Sequence, residues 1–386
     1  MKLKTPNMDM GIFVASLAML GFGIVLVYSS SFAVAQQKYG GADFFLARQA
    51  VRAVLAVVLL VVFANIDYHT WIKYSHVGFG IAVVLLLYVL VAPHSHAIKG
   101  AKRWVSLGFI SFQASEVARA CLILFLARKL SDAGEGIRQW SVLTRQLLIV
   151  GAMSGLILLE PNFSTAFVVG LVGISLLFIS GASLKHLGMI AAAGLPLAVV
   201  GMLGAGYRAR RMMAFLNPDD FKGSVGYQVH QALIGLGNGG IFGRGLGQGE
   251  QKFFYLPEPH TDFVFSIMGE ELGFIGLLAV MVVYGFIVYR GMRIALNAPD
   301  KAGQLTAFGF SFMLALYVIL HAAVNTGMAP TTGVPLPFLS YGGMSLVFTM
   351  CGMGILVNIS TQARPNGLGV AAVGRKRRGG RASIHA

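Results

Sequence analysis

Runs of 18 or more mostly apolar residues recur along the whole of this chain. Each is long enough to cross a hydrocarbon core of about 30 Å as a helix. Apolar–polar alternation with a period of two is missing, which argues against a membrane β-barrel. Charged residues make up 12% of the chain, where a soluble domain has about a quarter. A soluble globular fold is therefore excluded. The expectation is an all-α integral membrane protein with about ten transmembrane helices.

The spans fall at about Met10–Tyr28, Phe45–Ile66, His76–Val91, Ser115–Leu130, Leu147–Glu160, Thr165–Ile179, Leu187–Leu203, Phe263–Tyr289, Ala302–Thr326 and Ser345–Ile359. MKLK and the first run have the outline of a signal peptide, with Ala33-Val34-Ala35 resembling a cleavage site. The run is longer than a usual h-region and many spans follow, so an uncleaved first helix is expected. A large loop, roughly 55 residues ending near Asp262, separates helices 7 and 8. Residues 1–362 form one polytopic domain, and 363–386 form a basic tail read as disordered (GRKRRGGR).

Ten spans put both termini on one side. Lys and Arg are more numerous in the loops of that side, so both termini should be cytoplasmic. The formal net charge of +15 flanks membrane spans, so lipid headgroups explain it better than nucleic acid. Most cations of the outer side fall in two loops, Pro93–Gln113 and Tyr207–Thr261. Either a specific anion or lipid headgroups would account for that clustering. Cys121 and Cys351 lie in apolar runs and read as packing residues.

Acids are scarce, yet the stretch QKFFYLPEPHTDFVFSIMGEELGF (Gln251–Phe274) gathers Lys252, Glu258, His260 and Asp262 just before an apolar run. Acids at a water–lipid boundary suggest chemistry. Asp262 reads either as a helix cap, with Thr261 as its rival, or as a general base. Glu258 and His260 assist or orient it. Lys252 holds a phosphate or is a plain loop cation. Glu116 and Arg119 share a helix face, as an ion pair or as a cavity wall. Arg208 and Arg211 of YRARR either grip phosphate oxygens or snorkel at the interface. Gly235–Gly240 matches GxGxxG, but no strand precedes it, so a dinucleotide fold is rejected and a tight or re-entrant loop is expected. Pro330, Pro335 and Pro337 forbid continuous helix over Pro330–Gly343, which reads as an external loop dipping back against the bundle. Ser340 and Tyr341 within it either touch substrate or serve helix entry. His94 and His96 lack further metal-ligand spacing.

These residues resemble the SEDS family (shape, elongation, division and sporulation: FtsW, RodA and SpoVE). The resemblance runs from about Asp9 to Ile359. It is carried by GYQVHQALIGLGNGGIFGRGLG (Gly226–Gly247), FFYLPEPHTDFVFSIMGEELGF (Phe253–Phe274), PTTGVPLPFLSYGG (Pro330–Gly343), GAKRW with Lys102 and Arg103, and YRARR. VYSSS and FFLARQ look more like the division branch, whereas PTTGVPLP leans towards elongation. Three motifs depart from the family's usual forms. QPSE-x-x-K appears as Gln113-Ala114-Ser115-Glu116-Val117-Ala118-Arg119, QPD as Glu160-Pro161-Asn162, and YGGSS as Tyr341-Gly342-Gly343-Met344-Ser345.

The resemblance implies a peptidoglycan glycosyltransferase in the bacterial cytoplasmic membrane that polymerises lipid II. Asp262 would be its catalytic residue. Lys102, Arg208, Arg211 or Lys252 would hold the donor pyrophosphate, and Arg103, Glu116, Arg119, Glu258, His260 and Ser340 would complete the substrate site. Its partners would be a class B penicillin-binding protein, other divisome membrane proteins and membrane lipids, with no nucleic acid. No cofactor is called for, although a divalent cation beside the pyrophosphate fits the chemistry. The rival readings are a lipid II flippase and a non-catalytic division scaffold. Against transport, charges concentrate on one face and no internal repeat shows.

Overall fold

The computed structural model describes residues 8–91, 103–107, 110–190, 192, 194 and 206–363. Twelve α-helices are traced there: α1 (Met10–Tyr39), α2 (Phe44–Asn65), α3 (Tyr68–Lys73), α4 (Ser75–Val91), α5 (Ala114–Ala133), α6 (Trp140–Leu159), α7 (Phe163–Ser180), α8 (Gly206–Leu216), α9 (Tyr227–Gly239), α10 (Val264–Asn297), α11 (Lys301–Asn325) and α12 (Ser345–Thr361). A further helical stretch covers residues 184–190. Most of the seventh expected span, His94, His96, Lys102 and the basic tail from residue 364 lie outside the described residues.

Six helices, α1, α2, α6, α7, α10 and α11, are long and apolar enough to cross a membrane, and α4 and α12 are shorter apolar helices. Helix α5 has enough length, but Glu116, Arg119, Arg128, Lys129 and Asp132 dilute its apolar content. The spans begin where the sequence offers caps. Asp9 accepts the Ile12 N–H at 3.1 Å, Asn162 the Thr165 N–H at 3.4 Å and Asp300 the Gly303 N–H at 2.6 Å.

The main packing pairs are α2 with α12, α10 with α11, α6 with α7, and α4 with α5. One continuous apolar core runs between them. Among the described residues, one element departs from the all-α expectation. Trp104–Leu107 and Ile110–Gln113 form a short antiparallel hairpin, in register from Trp104 opposite Gln113 to Leu107 opposite Ile110. The β-branched and aromatic residues of this stretch suit a pleated surface.

The proline-rich segment after α11 behaves as expected. It is irregular, and Val334, Leu336, Phe338 and Leu339 are buried in the main core. The Phe338 carbonyl reaches so close to Gly23 of α1 that a Cβ there would lie 2.2 Å from it. Only glycine allows that approach.

Candidate active site

Residues His260, Thr261 and Asp262 lead into α10, and their three carbonyls are held in succession. The Tyr341 N–H donates to His260 O at 2.8 Å. Ser340 Oγ donates to Thr261 O at 2.6 Å and accepts from Leu336 N at 2.8 Å. Asn325 Nδ2 donates to Asp262 O at 3.1 Å, while its Oδ1 accepts from Ser266 N at 3.2 Å and Ser266 Oγ at 2.9 Å. The turn is thus pinned by α11 and by the proline-rich segment together. Buried backbone demands such partners, and here they fix the backbone from which one carboxylate projects.

The Asp262 side chain is half-buried. A Cβ on Gly333 would lie 3.5 Å from its Oδ2, so the carboxylate faces the segment that follows Pro330. Phe263 occupies the N-cap position of α10, where its side chain has nothing to cap with, and Thr261 Oγ1 donates to Glu258 O at 3.3 Å. Glu258 has left-handed backbone, φ 54°, and its carboxylate accepts from Thr261 at 3.4 Å. His260 is buried against the rings of Phe45 and Tyr341, at 4.5 and 5.7 Å between centroids.

Cations hold the other side of this region. Arg211 of α8 donates to Thr331 O at 3.0 Å, and Ser164 at the start of α7 donates to Thr332 O at 3.0 Å. Those bonds set the two residues before Gly333. Arg211 also borders a cavity of about 140 Å³ between α8, α9 and the end of α11, walled by Phe215, Val229 and Leu233, with Lys222 and His230 at its edge. Arg208 stands three residues earlier in the same helix; its side chain lies outside the described residues. Arg103 forks onto the carbonyls of Glu160 and Pro161, at 3.0 and 2.5 Å.

Lys252 requires a correction. It is 0% exposed, its Nζ lies 2.5 Å from Glu271 Oε1, and Ser29 Oγ completes the cluster. A lysine so enclosed fastens α10 to α1 instead of meeting a ligand. Ser340 likewise acts on backbone, at the turn itself.

The FtsW/RodA/SpoVE family model, described as cell cycle protein, matches residues 10–365. The chain belongs to that family. A "Probable peptidoglycan glycosyltransferase FtsW" of Geobacter sp. (strain M18) is 38% identical over 362 residues, covering 94% of this chain and 99% of the relative. "Stage V sporulation protein E" of Bacillus subtilis (strain 168) is 38% identical over 365 residues, covering 94% and 100%. Among solved structures, a chain from "Structural coordination of polymerization and crosslinking by a peptidoglycan synthase complex" superposes with a TM-score of 0.77 at 27% identity, covering 92% of this chain and 98% of that one. With its apolar helices and these relatives, the chain is a multi-pass membrane protein.

The departures from the family's usual motifs now have a setting. Glu116 and Arg119 are buried and paired with each other; Arg119 also donates to Ser345 Oγ at 3.1 Å and lies 4.7 Å over the Tyr317 ring. The group joins α5, α11 and α12, so the ion-pair reading holds for its geometry. Glu160 is fully buried, and both carboxyl oxygens lack a hydrogen-bond partner among the described residues. Burial pushes this carboxyl up to about 8, against the opposing pull of Arg103. Asn325, Ser164 and Glu271 were not singled out from sequence. An asparagine, a serine and one acid inside or beside apolar runs were the available signal. Among the described residues, no three His, Cys, Asp or Glu side chains are grouped to hold a metal ion.

Proposed function

We infer that this chain is a peptidoglycan glycosyltransferase of the division branch, polymerising lipid II into β-1,4-linked glycan with Asp262 as general base. Relatives named as glycosyltransferases support the reaction class. The observation that carries the residue assignment is the pinned turn. Three main-chain carbonyls are fixed from two directions, and the carboxylate that follows faces a segment held by Arg211.

In this reading Asp262 takes the proton from the acceptor GlcNAc 4-hydroxyl as that oxygen attacks the donor MurNAc anomeric carbon. The lipid diphosphate leaves from the opposite face, so the α-linked donor becomes a β bond in one inverting displacement. Arg211 and Arg208, with Lys102 and Arg103, would stabilise the leaving charge; Lys252 takes no part. Glu258 and His260 would orient the turn, and Glu116, Arg119 and Ser340 would support it from behind. A divalent cation beside the diphosphate would add to the arginines, and glycan synthesis with and without a chelator measures its share.

Ten spans, with both termini in the cytoplasm of the bacterial inner membrane, would put the Asp262 end at the outer face, where the acceptor strand grows. A class B penicillin-binding protein would cross-link the product. The synthase complex whose description couples polymerization to crosslinking supports that partnership. The test is purified Asp262→Asn. Its glycan synthesis should fall by about 10²–10⁴-fold, the share of general-base help, with thermal unfolding unchanged because the pinning groups are main-chain carbonyls. Long glycan made by the variant at the normal rate rejects the assignment.

A further inference from the structure

Helices α1 and α10 are joined by polar locks at both ends. Near one end Arg290 Nη2 lies 2.9 Å from Asp9 Oδ2. Near the other, Ser29 Oγ donates to Glu271 at 2.7 Å and Lys252 pairs with the same carboxylate. Asp9 and Ser29 are 20 positions apart, and Glu271 and Arg290 are 19 apart. At 1.5 Å per residue both intervals come to about 30 Å, the thickness of a hydrocarbon core. No charged residue occurs between the locks in either helix. The two locks thus have the spacing of the two boundaries between lipid and water.

At the Glu271 boundary α10 is broken, with Gly273 at φ 67° and ψ −171°. The glycine-rich loop after α9 fits into the break. Arg244 N donates to Glu270 O at 3.0 Å and Gly245 N to Glu271 O at 2.9 Å. In return Phe274 N donates to Gly240 O at 2.9 Å and Ile275 N to Ile241 O at 3.1 Å. A Cβ on Gly243 would stand 2.3 Å from Glu271 O, and one on Gly273 would stand 2.2 Å from Gly243 N. The buried Glu270 carboxylate adds a second pin by accepting from Glu250 N and Gln251 N, at 3.0 and 3.1 Å. Loop and break satisfy each other's backbone, as non-helical chain beside lipid must.

What the loop turns outward is apolar. Ile241 is 61% and Phe242 81% exposed, and Leu246 is exposed beside them. Phe274 and Ile275 continue the patch onto α10, and Leu278 and Val282 carry it down the exposed side of the span. A patch of this kind, continuous with the lipid-facing side of a membrane helix, has a lipid occupant.

We propose that residues 240–247 form a collar seated in lipid, with Ile241, Phe242 and Leu246 against the acyl chains at the boundary of the leaflet on the Asp262 side. The collar sets the depth of the site. Asp262 lies before Glu271, on the side of the Gly273 break away from the lipid-crossing run, which puts it at the headgroup side of the boundary. That consequence for a diphosphate-linked substrate rests on the polymerase reading; the lipid contact itself does not.

The test reads lipid contact without any assay of catalysis. The protein alone, carrying Cys121→Ala and Cys351→Ala, is labelled with a fluorophore through Phe242→Cys and, as a second probe, Leu246→Cys. It is placed in phosphatidylglycerol nanodiscs. Val84→Cys, exposed midway along α4, and Asp220→Cys, exposed in the loop after α8, serve as deep and aqueous references. Both collar probes should lose most of their intensity to lipids spin-labelled near the headgroup end of the chain, and little to mid-chain labels or to aqueous iodide. Iodide quenching equal to that at position 220 overturns the proposal. So does resistance to every quencher, which would mean that protein covers the patch.

Discussion

The two ends of the helix bundle use polar side chains differently. At the end where α11 begins, they fasten helix termini to one another. Asp9 caps α1 and holds Arg290 of α10. Asp300 caps α11 and also receives Tyr68 Oη at 2.9 Å and His69 Nε2 at 2.7 Å from α3. Asn358 of α12 accepts from Tyr68 N at 2.8 Å and donates to Ala64 O of α2 at 2.9 Å. At the end where α10 begins, the partners are mostly carbonyls of irregular backbone, reached by Arg103, Arg211, Asn325, Ser340 and Ser164. The first end is a clamp on helices. The second holds loops in a shape that helices do not supply, which suits the site proposed for a lipid-linked substrate.

The locks between α1 and α10 give the largest expected effect. Lys252→Met leaves the Glu271 carboxylate buried without its cation and should destabilise the protein by about 3–5 kcal/mol. Adding Glu271→Leu should recover most of that loss, because an apolar pair of similar volume is often neutral. Arg290 is 40% exposed, so Arg290→Met should cost only about 1 kcal/mol or less. Thermal unfolding of the purified variants in detergent reads all three. Equal losses for Lys252→Met and Arg290→Met would erase the difference between the ends.

Glu160 should give a smaller effect of opposite sign. Its folded pKa of about 8 lies above the ordinary 4.5, so the folded state keeps a proton that the unfolded state releases. The cost is absent below pH 4.5 and grows as pH rises towards 8. Glu160→Gln should therefore stabilise the protein by about 1–3 kcal/mol at pH 7 and flatten the fall of Tm between pH 5 and 8. A variant that unfolds earlier than the parent at pH 7 would show that the carboxylate has a partner worth more than its burial costs.

Much of this architecture is legible in the chain itself. The expected span Phe45–Ile66 is the helix Phe44–Asn65, and Ala302–Thr326 is Lys301–Asn325, because uninterrupted apolar runs end at polar caps. Helix α1 runs on to Tyr39 through Ser29, Ser30 and Ser31. These serines look like a helix end in sequence, yet they are buried, and Ser30 bonds back to Leu26 O at 2.7 Å. Asp262 is visible because acids are rare and gather around it. Its supports are not, since Asn325 and Ser340 come from more than 60 residues away. Lys252 misleads for the same reason. Locally it is a cation in a loop, while Ser29 of its cluster lies more than 200 residues back.

The smallest effect belongs to the clamp. His69 sits with Nδ1 2.7 Å from Asp67 Oδ1 and Nε2 2.7 Å from Asp300 Oδ2. A neutral imidazole has one N–H, so only the doubly protonated ring donates to both carboxylates. Burial works to lower the His69 pKa, but the hydrogen bonds and charges of Asp67 and Asp300 outweigh it, and the net shift is upward from 6.5. The stabilisation is therefore complete below about pH 6.5 and fades as pH rises through the raised value. The two aspartates, against the upward push of burial, are held below 3.8, mainly by bonds to backbone and side-chain donors. Their share is present above about pH 4 and lost in stronger acid. Because His69 is 51% exposed, solvent screening keeps the total to about 1 kcal/mol or less, a Tm difference of about 2–4 °C at most. His69→Gln should lower Tm by that small amount at pH 5.5 and by nothing at pH 9. A loss that persists undiminished at pH 9 would mean that the ring supports α3 by packing, and that charge is not what closes this end of the bundle.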